Sequence, residues 1–185
     1  MESHSRDLLL VIDMQNIYTS GQQWACLDTG GVAERVNRII ASGKCAEVIF
    51  TRFLATEQPT GVWADYNQKY EQINHDRWAN EMVPQLEVPL QKYPLYTKSV
   101  YSSLAIPEVA AAAKRADRVI VTGVVAECCV LSTVFALMDA GSYVVYLTDG
   151  VSGLDREKEA AAELTLSGLS PLQVSLMTTA EYLAE

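Results

Sequence analysis

The chain has 185 residues, of which 49% are apolar and 20% charged, and its formal net charge is −9. This length and composition predict one globular domain, residues 1–185, with a substantial core. The negative charge argues against nucleic acid or an anionic membrane as a partner. No apolar run reaches about 18 residues, so no spanning helix is expected, and the polar residues 1–7 do not have the pattern of a signal peptide.

Four cysteines occur in the chain, with no CxxC pair and no metal-binding spacing. Cys128 and Cys129 are adjacent, and a disulfide between neighbours is strained, so we expect free thiols. Free thiols are typical of a reduced compartment, which predicts a cytoplasmic protein.

Short apolar stretches alternate with stretches of helical periodicity along most of the chain. Residues 52–94 have a weaker pattern and are predicted to be mostly loop, with one or two short helices. The alternation predicts an α/β fold, a three-layer αβα sandwich with a mostly parallel, Rossmann-like sheet of about six strands. The predicted strands are residues 7–13, 46–51, 95–98, 119–123, 142–149 and 172–177. The predicted helices are residues 30–42, 107–116, 127–140, 156–166 and 179–184, the last with a capping box of Thr178 and Glu181.

Three chemically useful side chains follow the carboxyl ends of predicted strands, where parallel sheets bind ligands. They are Asp13, Lys98 and Cys129. A thiol on the first turn of a helix faces unpaired N–H groups and the positive end of the dipole, which favours the thiolate. A carboxylate can take the thiol proton, and a lysine can stabilise negative charge. Each residue alone is more commonly a turn residue, a solvated lysine or a core cysteine, so their joint position carries the hypothesis of a cysteine enzyme.

Three segments resemble motifs of the isochorismatase-like cysteine hydrolases, which include nicotinamidases, N-carbamoylsarcosine amidohydrolases and isochorismatases. They are Leu-Val-Ile-Asp-Met-Gln at 10–15, Thr-Lys-Ser-Val-Tyr-Ser-Ser at 97–103 and Gly-Val-Val-Ala-Glu-Cys-Cys-Val at 123–130. The resemblance covers nearly the whole chain and implies a catalytic triad of Asp13, Lys98 and Cys129. In the family motif the nucleophile lies six residues after the glycine and directly before a valine. Cys129 fits both conditions and Cys128 fits neither, so Cys128 is assigned to packing.

The resemblance also implies a cis peptide directly after the glycine, here between Val124 and Val125. The backbone N–H groups of Val125 and Cys129 are then expected to form an oxyanion hole. Many relatives have Thr-Asp where this chain has Ala126-Glu127. Neither position belongs to the triad, so we expect altered tuning or pocket shape rather than loss of chemistry.

The substrate pocket is expected to be shaped by residues 52–78, which are rich in aromatic side chains. The predicted substrate-binding residues are Gln15, Phe53, Trp63 and Tyr101; the alternative for most aromatic residues of this region is a place in the core or a subunit interface. No metal and no cofactor is predicted. The Asp-x-His segment of nicotinamidases is absent after the second strand, and the two histidines, His4 and His75, are too scattered for a site.

The resemblance implies a hydrolase that cleaves a C–N bond of a small amide or carbamoyl compound through a thioester. Two alternatives stay open: an isochorismatase-type hydrolase of a vinyl ether, and a family member that binds a metabolite or a partner protein without turnover. The expected partners are a small-molecule substrate and further copies of the chain, in a dimer or a tetramer.

Overall fold

Six parallel strands form one sheet in the computed structural model, which describes residues 6–185. The strand order is β3-β2-β1-β4-β5-β6. The sheet confirms the predicted parallel α/β architecture. The strands are β1 (Leu8–Ile12), β2 (Glu47–Phe53), β3 (Leu95–Lys98), β4 (Val119–Val124), β5 (Val144–Ser152) and β6 (Val174–Met177).

Helices occupy the connections between strands, and several have clear end signals. Asp28 caps the first helix by accepting a hydrogen bond from Gly31 N, and Gly43, with φ of 68°, ends it. The predicted capping box of Thr178 and Glu181 is present. Within residues 6–185, no helix has both the length and the apolar character to cross a bilayer. The helices are α1 (Thr29–Ser42), α2 (Val62–Lys69), α3 (Glu71–His75), α4 (Arg77–Asn80), α5 (Glu87–Leu90), α6 (Pro107–Arg115), α7 (Leu131–Asp139), α8 (Arg156–Ser167) and α9 (Thr179–Ala184).

Two apolar cores lie on opposite faces of the sheet. Successive residues of a strand point to opposite faces, so Leu9 and Val11 enter the core that contains α1 and α9. Leu10 and Ile12 enter the core that contains α6, α7 and α8. The central strand is therefore buried on both sides, which explains its nearly continuous apolar sequence.

The stretch from residue 52 to residue 94 is more helical than its sequence predicts. Helices α2 to α5 and a 3₁₀ turn at Pro84–Leu86 lie in it, so the prediction of one or two short helices was wrong. Helix α2 has no buried residue. A helix that buries no continuous apolar stripe has no strong 3.6-residue pattern, which is why the sequence did not reveal it.

The helix predicted at residues 127–140 has two parts in the structure. It begins as a π-helical turn at Ala126–Val130 and continues as α7. Single π-helical turns occur frequently at functional sites. This turn carries both adjacent cysteines and lies directly beyond the carboxyl end of β4.

Candidate active site

The three side chains predicted to act together converge beyond the carboxyl ends of the strands. Lys98 Nζ donates a hydrogen bond to Asp13 Oδ2 over 2.5 Å. The Cys129 thiol lies close enough to both side chains for each to shift its pKa, Asp13 upward and Lys98 downward. Residues 13 and 98 are 85 positions apart, and they meet because β2 lies between β1 and β3 in the sheet.

Asp13 is held by contacts on both carboxylate oxygens. Its backbone is in the left-handed region, with φ of 51°, which is uncommon for a residue with a side chain and frequent at functional sites. Thr51 Oγ1 donates to Asp13 Oδ1 over 2.9 Å, so Lys98 and Thr51 share the carboxylate. The sequence analysis missed Thr51. Its one signal was a hydroxyl directly after the apolar run of residues 48–50.

Gly123 allows β4 to approach β1 closely beside the site. Its φ is 117°, and a Cβ atom there would lie 2.2 Å from the carbonyl oxygen of Ile12. A side chain at this position is therefore excluded both by the backbone conformation and by the neighbouring strand. The peptide bond that follows, between Val124 and Val125, is cis.

A buried threonine connects the cysteine turn to the loop after β3. Thr133 Oγ1 donates to the carbonyl oxygen of Cys129 over 2.6 Å and accepts from Ser103 N over 2.9 Å. Both Thr133 and Ser103 are fully buried. This bridge links Cys129 to the segment that follows Lys98. Sequence reasoning missed it, because a threonine within an apolar helix gives no local sign of its partners.

Burial controls the charge state of the cysteine. It raises the pKa of the Cys129 thiol well above its usual value; the charge of Asp13 raises this pKa further, and that of Lys98 lowers it in part. The raised pKa favours the neutral thiol, whereas the place of Cys129 at a helix start was expected to favour the thiolate. For Lys98, burial lowers the pKa, but Asp13 and Cys129 together outweigh burial and the net pKa is raised. The lysine stays charged.

Four aromatic side chains pack together beside the triad, and we call them the aromatic wall: Phe53, Trp63, Tyr66 and Tyr101. Trp63 is in ring contact with the other three, at centroid distances of 6.0 Å to Phe53, 5.4 Å to Tyr66 and 5.0 Å to Tyr101. Lys98 Nζ lies 5.6 Å from the centre of the Phe53 ring. The structure thus brings three of the four predicted substrate-binding residues together and adds Tyr66 from α2.

Gln15, the fourth predicted substrate-binding residue, is fully buried and its amide is already engaged. Its Nε2 donates to the carbonyl oxygens of Phe53 and Asn80, and its Oε1 accepts from Phe53 N. These contacts give Gln15 a structural role, because they hold the end of β2 that carries Phe53. Its contact with a substrate stays a prediction.

The residues around the triad do not fit a metal ion. Within residues 6–185, no group of three or more His, Cys, Asp or Glu side chains is placed to hold one. The end of β2 carries Phe53 rather than a histidine, and His75 lies at the end of α3. His4 lies outside the described residues. Cys128 is half-buried and packs against a core cluster, in agreement with its assignment to packing.

The sequence matches the isochorismatase domain over residues 7–181. The chain belongs to the isochorismatase family. It is a hydrolase of this superfamily, as its motifs predicted. Comparison with curated protein sequences finds no significant match.

Several solved structures share the fold. A cysteine hydrolase from Pseudomonas syringae pv. phaseolicola 1448A has a TM-score of 0.82 and 19% identity, covering 97% of this chain and 91% of that one. A pyrazinamidase/nicotinamidase from Streptococcus mutans UA159 has a TM-score of 0.70 and 17% identity, with coverage of 92% and 99%. The MAR1 ribonuclease from Caenorhabditis elegans has a TM-score of 0.74 and 20% identity, with coverage of 97% and 80%. At these identities the likeness establishes the fold, and the activity must be argued from the site.

Proposed function

We propose that the protein is a metal-independent cysteine hydrolase that cleaves the C–N bond of a small amide or carbamoyl compound through a thioester. The observation that supports this most directly is the contact among Cys129, Asp13 and Lys98. A nucleophile, a base and a fixed cation lie together with buried side chains: Lys98 binds Asp13, and both act on the pKa of the Cys129 thiol.

The proposed reaction begins with a neutral thiol. Asp13 takes the proton of Cys129 as the sulfur attacks the carbonyl carbon of the substrate. Lys98 keeps its positive charge and offsets the negative charge on sulfur. This role suits an ammonium group that is buried and already paired, because it needs no reorganisation during the reaction.

The tetrahedral intermediate carries a negative oxygen, which we assign to the backbone N–H groups of Val125 and Cys129 at the cysteine turn. The C–N bond then breaks, and Asp13 gives its proton to the departing nitrogen. A thioester of Cys129 remains. Water adds to it with Asp13 again as base, and the thiol is regenerated as the acid product leaves.

The test is a panel of small amides, ureas and carbamoyl compounds, assayed for released ammonia or amine. We expect Cys129→Ala to reduce turnover by about a thousandfold or more. Cys128→Ala is the matched control, and we expect it to retain activity. Intact-mass measurement during turnover should show an acyl adduct, and peptide mapping should place it on Cys129.

Three results would contradict the proposal: turnover that survives Cys129→Ala, loss of turnover in folded Cys128→Ala, or an adduct on another residue. Hydrolysis of a vinyl ether without released amine, and without need of Cys129, would instead support isochorismatase-type chemistry.

A further inference from the structure

We infer that the site selects its substrate by charge: it takes small amides whose group beside the carbonyl is uncharged and apolar, and it excludes those that carry a carboxylate there. This inference rests on the proposed function, since it concerns what reaches Cys129. It goes beyond it, because the proposed function leaves the charge of the substrate open.

The first observation is the chemistry of the aromatic wall. Phe53 is buried, and the rings of Trp63 and Tyr101 meet edge to face at 5.0 Å. The face of an aromatic ring carries partial negative charge. The aromatic wall offers apolar contact, and its polar donors are the neutral indole N–H of Trp63 and the hydroxyls of Tyr66 and Tyr101, so it supplies no cation to balance a carboxylate.

The second observation is that Lys98, the cation at the site, is already paired with a carboxylate. Lys98 and Asp13 form an ion pair whose side chains are 1% and 0% exposed. They are also the charged groups with the strongest effect on the Cys129 thiol. A carboxylate entering this site would compete with Asp13 for Lys98, and one anion would be left buried without a counter-ion. Burying an unpaired charge is strongly unfavourable.

Other cations are also engaged elsewhere, and the register of the sheet directs Arg52 away from the site. Arg52 pairs with Thr97, and Phe53 pairs with Lys98. Adjacent strand residues point to opposite faces, so Arg52 lies on the face opposite to Phe53. Its Nε donates to Thr97 Oγ1 over 3.0 Å. At the cysteine turn, burial raises the pKa of Cys128, the charge of Glu127 raises it further and that of Lys158 lowers it in part. Lys158 is already paired with Asp155.

Two alkylating reagents of nearly equal size test the inference on the thiol itself. Iodoacetamide is neutral and iodoacetate is an anion. The rate of Cys129 alkylation by each is measured by peptide mapping at one fixed pH, in the folded protein and in the urea-unfolded chain. The unfolded chain corrects for the intrinsic difference between the reagents and for the net charge of the protein.

We expect folding to increase the preference of Cys129 for iodoacetamide over iodoacetate by about tenfold or more, which corresponds to about 1.4 kcal/mol or more. Trp63→Arg should reduce this preference by supplying a cation to the wall. The matched variant Trp63→Met, which is apolar, should keep it. Equal preference in the folded and unfolded protein would overturn the inference, as would a wild-type preference unchanged by Trp63→Arg.

Failure of the inference can be told apart from failure of the proposed function. If a pair of amides that differ only by a carboxylate is hydrolysed equally fast through Cys129, the selection is absent and the cysteine mechanism stands. If no amide is hydrolysed, and alkylation of Cys129 leaves any other activity of the protein unaffected, the proposed function itself fails.

Discussion

Lys98 Nζ and Asp13 Oδ2 lie 2.5 Å apart, in a pair that is almost entirely removed from water. The pair spans three strands, because Asp13 follows β1 and Lys98 ends β3, with β2 between them. Thr51 on β2 binds the other carboxylate oxygen. The same contact therefore joins the strands and places two of the proposed catalytic groups.

Breaking this pair should cost stability as well as activity. We expect Lys98→Met to lower the free energy of unfolding by about 3–5 kcal/mol, because it leaves the Asp13 carboxylate buried and unpaired. The double variant Asp13→Leu with Lys98→Met should recover much of that loss and remain inactive. Urea unfolding and the amide assay measure the two effects.

Lys158→Met is the matched control for that experiment. Lys158 forms an ion pair with Asp155 in which both side chains are about half exposed, and such solvent-screened pairs contribute little to stability. If Lys98→Met costs no more than Lys158→Met, the buried pair does not have the role assigned to it.

Thr133 is predicted to be a positioning residue. Thr133→Val removes the hydroxyl that bridges Cys129 O and Ser103 N, at a cost of about 1–3 kcal/mol for the unsatisfied buried groups. We expect kcat to fall more than KM rises, because the bridge orients the nucleophile and does not touch the substrate. Thr133→Ser, which keeps the hydroxyl, should restore most of kcat. Equal kcat in the valine and serine variants would show that the bridge acts on stability alone.

Gly123 should tolerate no side chain. Gly123→Ala places a Cβ atom 2.2 Å from Ile12 O at a φ of 117°, and we expect a loss of more than about 3 kcal/mol in the free energy of unfolding. Gly30→Ala is the control. A Cβ atom there meets nothing within 4 Å, and alanine favours the helix by about 0.5–1 kcal/mol. Denaturant midpoints of the two variants should move in opposite directions.

Stability should fall as the pH rises above about 9, where free thiols ionise. Burial raises the pKa of Cys45 from 9.0 to about 11, with Tyr182 lowering it in part. Between these values the unfolded chain releases a proton that the folded chain keeps, so the folded state loses stability with increasing pH. The Cys45 contribution is present below pH 9 and lost by about pH 11, on the order of 2–3 kcal/mol.

Urea unfolding at pH 7.5, 9 and 10 checks the alkaline effect. We expect Cys45→Ala to show a shallower decline than the wild type over this range. The remaining slope should come mainly from the other thiols whose pKa values are raised by burial, Cys26, Cys128 and Cys129. A decline equally steep in the Cys45→Ala variant would contradict the assignment.

Much of the fold followed from local patterns, because each strand and most helices bury apolar residues at a spacing that is visible in their own sequence. Strand β3 and helix α9 have the predicted bounds. The pattern failed at α2, whose side chains pack through scattered aromatic contacts rather than along a buried stripe. Whether such a segment forms a helix depends on contacts with residues far away in the chain.

The sequence by itself determined the order of the strands along the chain, the family, and which acid, amine and thiol are the candidates for chemistry, since these depend on residue type and spacing. Only the tertiary structure decided that Thr51 and Thr133 support the site, that Gln15 is engaged by backbone groups, and that burial raises the pKa of the Cys129 thiol. Burial and hydrogen bonding between residues tens of positions apart exist only after the sheet has formed, so no local pattern contains them.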